Sequence, residues 1–424
     1  MLVAFISYWL LSNYSDSAAA TLAVANACIL LGFTLAESLG QSSALIVAQC
    51  VGSKNKELIS NSYVASVISS GVLGLFLSLA YYFGSNAIIS LLGFDPHISG
   101  LSKHYLQIVG SGFVIYSVNY ALIYILNANG KTKFTMINSL AINSCTLVVS
   151  GIIFYFRPSS DAAILQALAV NNLLVRIAGS ILLFIICRIT LDNFSLKITS
   201  INSLIKQLAK HFNIGISNLI EALSYHIHQI ILLIIISHLG TVAIAARSYV
   251  ISIVGILETP SLALAKGNQI LIGQDLGASN RRKADSRLRS GVRITVLLSI
   301  VSFCLGFFPR KGWILLFTPS PETYNLGLNL LTIALGVAFI RGLTQTYCHA
   351  LKALGDVRFC VVLSLAGMWC LTAPGAYYLT TSLSLGLNSI WILLGLEEML
   401  RFIIFSKRWN HAVWKRANLV HQTR

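Results

Sequence analysis

The residue in this chain whose type and setting most invite chemistry is Glu221. It stands about eight residues into a long apolar run, with Ser217, Asn218, Ser224, Tyr225, His228 and Gln229 recurring around it at helical spacing. On a helix these residues form one polar stripe on an otherwise apolar rod, as expected where a span lines water. A carboxylate there, about 12 Å from the helix start, can bind Na+ through oxygen ligands or take up a proton. Either event changes the charge offered to a cationic solute. An ionisable group at the centre of a bilayer costs about 2.5–3.5 kcal/mol on insertion scales, so Glu221 needs a partner or a wet cavity. The purely structural alternative pairs it with a base on the next helix. Lys266, nine residues before Asp275, lies at matching depth. A Glu221–Lys266 pair opened by substrate or a cation would itself be a switch.

Other groups recur with similar logic. Glu37 and Gln41 are one turn apart, Thr34 precedes Glu37 by three residues, and Asn26 lies higher on the same helix. They suit either cavity lining or an interhelical hydrogen-bonded contact. Glu397 and Arg401 are spaced for an intrahelical ion pair. His226 and His228 titrate near neutral pH and could carry protons, although a lone helical histidine more often serves packing. Pro260 and Pro374 interrupt long helices, where each is either a hinge or a static kink.

No acid–base cluster, metal-ligand set or nucleophile motif of the HExxH or GxSxG kind appears, which argues against an enzyme and a cofactor. The eight cysteines form no CxxC pair and lie in apolar stretches, as buried free thiols do.

The elements that must position these groups follow from composition. Of 424 residues, 56% are hydrophobic and 10% charged, with mean hydropathy +0.76. A soluble domain carries about 25% charged residues, so the chain is a polytopic membrane protein, and disorder is excluded. Runs long enough to cross a bilayer fall at 18–50, 58–92, 98–128, 132–156, 160–188, 213–238, 242–275, 291–308, 323–352, 357–380 and 384–406. Backbone groups in lipid must be satisfied internally, so the spans are helices.

The net charge of +16 would suggest nucleic acid on a soluble protein. Here it reports topology. With the first loop outside, most Lys and Arg fall on the inner side, among them Lys54, Lys131, Lys133, Lys197, Arg281, Arg282, Lys283, Lys352 and Lys415. Lys103, Arg157, Arg310 and Lys311 fall outside, and Arg176, Arg247, Lys266, Arg341 and Arg401 within spans. Both termini are then cytoplasmic, in a cell (inner or plasma) membrane. The run from Arg281 to Arg293 reads as attraction to anionic membrane lipid, not to nucleic acid.

The chain repeats itself at one offset of 225 residues. Gln49-x-x-Gly52 matches Gln274-x-x-Gly277, and Pro96 matches Pro321. Leu126-x-Ala128-x-Gly130-x-x-Lys133-Phe134 matches Leu351-x-Ala353-x-Gly355-x-x-Arg358-Phe359. Arg176 matches Arg401, but the counterpart of Glu397 is Asn172, so Arg176 must find a partner elsewhere.

The expected architecture is an all-α membrane protein of two parallel six-helix lobes, 1–190 and 213–407. An amphipathic cytoplasmic linker (191–212) joins them, and a basic tail (408–424) follows. In the linker, residues 201, 204, 205 and 208 are apolar and lysines stand elsewhere, which suits a membrane-surface helix. The seventh helix begins near Asn213, so its first-half counterpart would begin upstream of Met1. Met1–Asn13 is therefore read as the remainder of an incomplete first span of twelve, and Ala18-Ala19-Ala20, lacking a positive n-region before it, is a poor signal-peptide site.

The stretches Gly215-Ile216-Ser217-Asn218-Leu219-Ile220-Glu221, Leu239-Gly240-Thr241-x-Ala243-x-Ala245-Ala246 and Ile272-Gly273-Gln274-x-Leu276-Gly277-Ala278 resemble the multidrug and toxic compound extrusion (MATE) transporters. So do Leu354-Gly355-Asp356-Val357-Arg358-Phe359, Met368-Trp369, and Glu397-Glu398-x-x-Arg401 with Arg408-Trp409 and Trp414. The resemblance implies a central cavity between two lobes, alternately open to each side. It also implies export of cationic amphiphilic molecules in exchange for Na+ or H+, by a monomer. Two positions depart from the family: Ser217 stands where Pro is common, and Ser7 where some branches carry an acid. The nearest alternative is a lipid-linked saccharide flippase of a related superfamily, which would need a strongly cationic cavity. The spans carry about as many acids as bases, which leans toward cationic cargo.

Overall fold

The computed structural model describes residues 16–90, 96–156, 160–191, 194, 198, 200–317 and 320–412. Met1–Asn13, Ser7, Arg157, Lys197, Trp414, Lys415 and the end of the basic tail lie outside them. Every element among the described residues is helical: α1 (Asp16–Ser53), α2 (Lys56–Ser90), α3 (Pro96–Ser111), α4 (Phe113–Ala128), α5 (Thr132–Tyr155), α6 (Asp161–Thr190), α7 (Ile201–Ser237), α8 (Thr241–Gly277), α9 (Arg281–Phe307), α10 (Arg310–Leu315), α11 (Pro321–Ala353), α12 (Val357–Ala366), α13 (Ala373–Thr381) and α14 (Leu387–Ala412). Among the described residues nine helical segments are long and apolar enough to cross a membrane, ten if α3 and α4, bent by 45° at Gly112, form one span.

The two halves share their local chemistry. Asn55 caps α2, its Oδ1 accepting from the backbone N–H of Glu57 and Leu58 at 3.0 and 3.2 Å. Asn280, 225 residues on, caps α9 by accepting from Lys283 at 3.1 Å. Just before these caps the chain turns through positive φ at Lys54 (56°) and Ser279 (59°). Gly130 and Gly355, which end α4 and α11, take φ of 73° and 88°, a conformation that glycine adopts without steric cost. The repeat is thus written in backbone turns as well as in residue types.

The residues separate into two compact units, one of Met1–Val47 with Asn55–Leu219, the other of Ala48–Lys54 with Ile220–Arg424. In the first, α2 packs on α3 and α4, α5 on α6, and α6 on both α3 and α4. Its core gathers Leu106, Phe113, Tyr116 and Ile164. In the second, α11 packs on α8, α9 and α14 around Leu330, Leu331, Val250 and Trp391. Within this unit Gly52 meets the backbone of Gln274, and Gly277 meets that of Gln49, each so closely that a Cβ would overlap the opposing carbonyl. The repeated Gln-x-x-Gly motif is therefore a reciprocal backbone contact.

Two features differ from the expectation, at the linker and at Pro260, and a third, at Pro374, agrees with it. The linker helix does not stop before the seventh span: α7 runs unbroken from Ile201 to Ser237. Of its apolar face, Leu204 is buried against Val64 and Ala65, while Ile201 and Ile205 are exposed. Pro260 leaves α8 continuous. Pro374, which cannot donate a backbone hydrogen bond, is preceded by a widened π-helical turn, Gly367–Thr372.

Candidate functional site

In the second unit, Glu221 on α7 meets α11. The Lys352 ammonium donates to Glu221 Oε2 at 2.6 Å, with the lysine side chain 11% exposed and the carboxylate 21%. Sequence depth points to Lys266 as the partner, and charge counting puts Lys352 among the inner-loop cations. The structure instead buries Lys352 in the last turn of α11, where a cation also complements the helix C-terminal carbonyls. Lys266 lies half-buried on α8, one turn from Gln269, which pairs with His349 at 2.8 Å.

A second charge network spans α8, α11 and α14. Arg341 reaches Glu258 at 3.4 Å and Glu398 at 3.0 Å. Arg401 reaches Glu397 at 2.5 Å and Glu398 at 2.8 Å. The series Glu258–Arg341–Glu398–Arg401–Glu397 alternates in sign, so the buried carboxylates Glu397 and Glu398 each face a guanidinium. Such matching is what makes charge tolerable in a low-dielectric interior. Gly367, in the widened turn, admits the Glu397 carboxylate, which a Cβ there would overlap.

Beside this network lies a cavity of ≈ 300 Å³. Tyr225, Gln229, Arg247, Glu258 and Arg341 supply its polar face, and Leu232, Val250, Val254 and Trp391 its apolar walls. Arg247 Nη2 donates to Gln229 Oε1 at 2.9 Å. Among the described residues Arg247 meets no carboxylate within salt-bridge distance, so the lining carries two guanidinium groups against one carboxylate. The polar stripe on α7 is thus divided among three tasks. Glu221 pairs with Lys352, Tyr225 and Gln229 line the cavity, and His228, 3% exposed, bonds Thr372 at 2.7 Å.

In the first unit, Glu37 on α1 accepts from the Tyr124 hydroxyl at 2.5 Å and from Gln41 at 3.3 Å. Gly40 permits this: its missing Cβ leaves room for the Tyr120 and Tyr124 side chains of α4. Asn26, eleven residues before Glu37 and so on the same helical face, is half-buried. Arg176 has no carboxylate at the position of Glu397. Its Nε donates to Asn172 at 3.2 Å, and its guanidinium lies 4.8 Å from the ring centre of Phe33 and 5.3 Å from that of Tyr116.

The repeat offset relates the two clusters residue by residue. Phe33 corresponds to Glu258, Tyr116 to Arg341, Asn172 to Glu397 and Arg176 to Arg401. One structural position is therefore an ion network in the second unit and an aromatic cage around a cation in the first. Sequence reasoning missed Glu258, Glu398, Lys352 and the aromatic partners of Arg176. The offset, applied to side chains and not only to landmarks, would have exposed Glu258 and the aromatic partners of Arg176, but neither Lys352 nor Glu398, whose counterpart is Leu173.

No group of three or more His, Cys, Asp or Glu residues is placed to hold a metal ion among the described residues. Long apolar helices with internally paired charges and a half-polar cavity define a polytopic membrane transporter. The MatE family model matches residues 1–156 and 214–378, and the chain belongs to that family, the MATE transporters. It is similar to the "Uncharacterized transporter YisQ" of Bacillus subtilis, 25% identical over 96% of this chain and 89% of that protein. It is also similar to the "Probable multidrug resistance protein NorM" of the same organism, 20% identical over 82% and 77%. Its fold superposes on a MATE crystal structure in the bent conformation with a TM-score of 0.89 at 16% identity, over 97% of this chain and 91% of the other. A MOP superfamily transporter from Pyrococcus furiosus, for which reverse polarity of the binding pocket is held to suggest a different function, superposes with a TM-score of 0.86 at 17% identity, over 97% and 91%.

Proposed function

We propose that the protein is a secondary active antiporter that exports cationic amphiphilic organic compounds in exchange for Na+ or H+ by alternating access. The observation that carries this reading is the ≈ 300 Å³ cavity, which sets apolar walls against a polar face that bears Glu258. Drug-sized ligands are held by pockets of this kind, with hydrophobic walls and a few placed polar groups. The multidrug resistance proteins among its relatives support the cargo class.

Glu221 is the coupling group in this scheme. Its carboxylate is held by the Lys352 ammonium, so an incoming Na+ has to displace an internal cation, and an incoming proton has to neutralise half of an ion pair. Either event frees Lys352 and alters the packing of α7 on α11. Tyr225 and Gln229, one and two turns further along α7, carry that change to the cavity, and His228, Lys266, Glu37, Gln41 and Asn26 are supporting polar positions. The Glu397–Arg401 pair holds α14 in place.

Arg247 favours a second reading. With Arg341 it makes the lining more cationic than the balance of charges along the spans implies, which suits the anionic headgroup of a lipid-linked saccharide. Transport of a fluorescent cation into everted vesicles, with Na+ and pH gradients imposed separately, decides between them. Coupled uptake that Glu221→Gln abolishes is expected. Absence of cation transport, with competition by a polyprenyl pyrophosphate in binding assays, selects the flippase reading.

A further inference from the structure

The first unit holds a cavity of its own. It is a cleft of ≈ 570 Å³ between α5 and α6, walled by Ala141, Cys145, Val149, Val170 and Leu174, and it opens on the side of the helices. These two spans have the least of their surface covered by protein, so the cleft faces lipid. Asn138 lines it. That side chain is 1% exposed, and neither its Nδ2 nor its Oδ1 has a hydrogen-bond partner among the described residues. A buried carboxamide lacking both a donor and an acceptor partner is destabilising unless something in the cleft supplies them. Across the cleft stands Gly179, where a side chain would press on Ile142.

Beyond one end of the cleft, outside its lining, stand three basic residues. Lys131 precedes Asn138 by seven residues, two turns along the same face and about 10 Å away, and is exposed. Lys133 and, on the antiparallel α6, Arg188 stand at the same end, both exposed, with Arg188 Nη1 donating to the Phe194 carbonyl at 3.1 Å and its other N–H groups left for a ligand. A ligand that fits must therefore present, in order, an anionic group, a donor and an acceptor close together, and an apolar tail.

We propose that the α5–α6 cleft binds a monoacyl anionic phospholipid: its phosphate against Lys131 and Arg188, its free glycerol hydroxyl donating to Asn138 Oδ1, its ester carbonyl accepting from Nδ2, and its single acyl chain in the apolar cleft. A diacyl phospholipid has the carbonyl but no hydroxyl at that depth, so it leaves the Oδ1 atom unpaired.

The test uses the full chain in phosphatidylcholine nanodiscs, titrated with fluorescent lysophosphatidylglycerol. Saturable 1:1 binding is expected, with unlabelled lysophosphatidylglycerol displacing the probe and diacyl phosphatidylglycerol about tenfold less effective. Asn138→Leu weakens binding about tenfold, the value of one or two hydrogen bonds. Ala141→Phe, which fills the cleft without touching the carboxamide, abolishes it. Thermal unfolding in lipid-free detergent is the control for folding, and there Asn138→Leu unfolds at or above the temperature of the unmodified chain, because it removes the unpaired amide. Unchanged affinity in Asn138→Leu, equal displacement by the diacyl lipid, or binding that survives Ala141→Phe overturns the proposal.

Discussion

The Lys352 ammonium lies 2.6 Å from Glu221 Oε2 and joins α7 to the last turn of α11. Both groups are largely removed from water, so each has lost hydration that the ion pair helps to restore. Removing one partner leaves an uncompensated buried charge, which costs about 3–5 kcal/mol in proteins where such pairs have been broken. Lys352→Met is therefore expected to lower thermal stability in detergent sharply. Glu221→Gln combined with Lys352→Met is expected to recover most of that loss. Additive destabilisation in the double variant would show that the two side chains act independently.

Arg341 bridges α8 and α14 through Glu258 at 3.4 Å and Glu398 at 3.0 Å. A planar guanidinium can serve two carboxylates at once, and an ammonium does so poorly. Arg341→Lys keeps the charge and is expected to lose the bridge. The matching measurement is cation transport together with affinity for the same dye. A bridge that shapes the cavity predicts weaker binding in Arg341→Lys at near-native folding, and unchanged affinity would count against it.

Much of the fold was legible because the repeat and the apolar runs are long-range, redundant signals. Gln49 and Gln274, Gly130 and Gly355, and Asn172 and Arg176 against Glu397 and Arg401 all sit at one offset. What was not legible is which charges meet. Counting residues from an expected helix end gives Lys266 as the match for Glu221, but α7 starts at Ile201, not near Asn213, and the contact is made by Lys352 at the end of α11. The aromatic partners of Arg176 were hidden for another reason: a search for a carboxylate overlooks rings that hold a cation by their faces. The join of the linker to α7 escaped because an amphipathic stretch followed by an apolar one reads as two helices, although no residue between Ile201 and Ser237 stops the first.

Gly277 offers a test of the reciprocal contact at Gln49 and Gln274. A Cβ there would overlap the Gln49 carbonyl, and relief requires backbone movement, since no flexible side-chain end stands in the way. Overpacking of this kind costs about 1–3 kcal/mol. Gly277→Val and Gly52→Val are each expected to lower the unfolding temperature. Gly255→Val, where nothing lies within 4 Å of the added atom, is expected to change it little. Equal stability of all three variants would remove the packing role assigned to the motif.

The cage around Arg176 makes a separable prediction. Phe33 and Tyr116 hold the Arg176 guanidinium by their rings, whereas in the other unit Arg401 is held by the carboxylates of Glu397 and Glu398. A cation–π contact is worth about 0.5–2 kcal/mol depending on desolvation, less than the penalty for breaking a buried ion pair. The first unit should therefore tolerate loss of its cation better than the second: Arg176→Met is expected to destabilise the chain by less than Arg401→Met. A double-mutant cycle between Phe33→Leu and Arg176→Met isolates the contact itself. A coupling of about 1 kcal/mol is expected, and it should persist in high salt, since the pair is screened little by ions where water is scarce. Zero coupling would mean that Arg176 is held by Asn172 alone, and that the aromatic residues at this repeat position serve only to fill space.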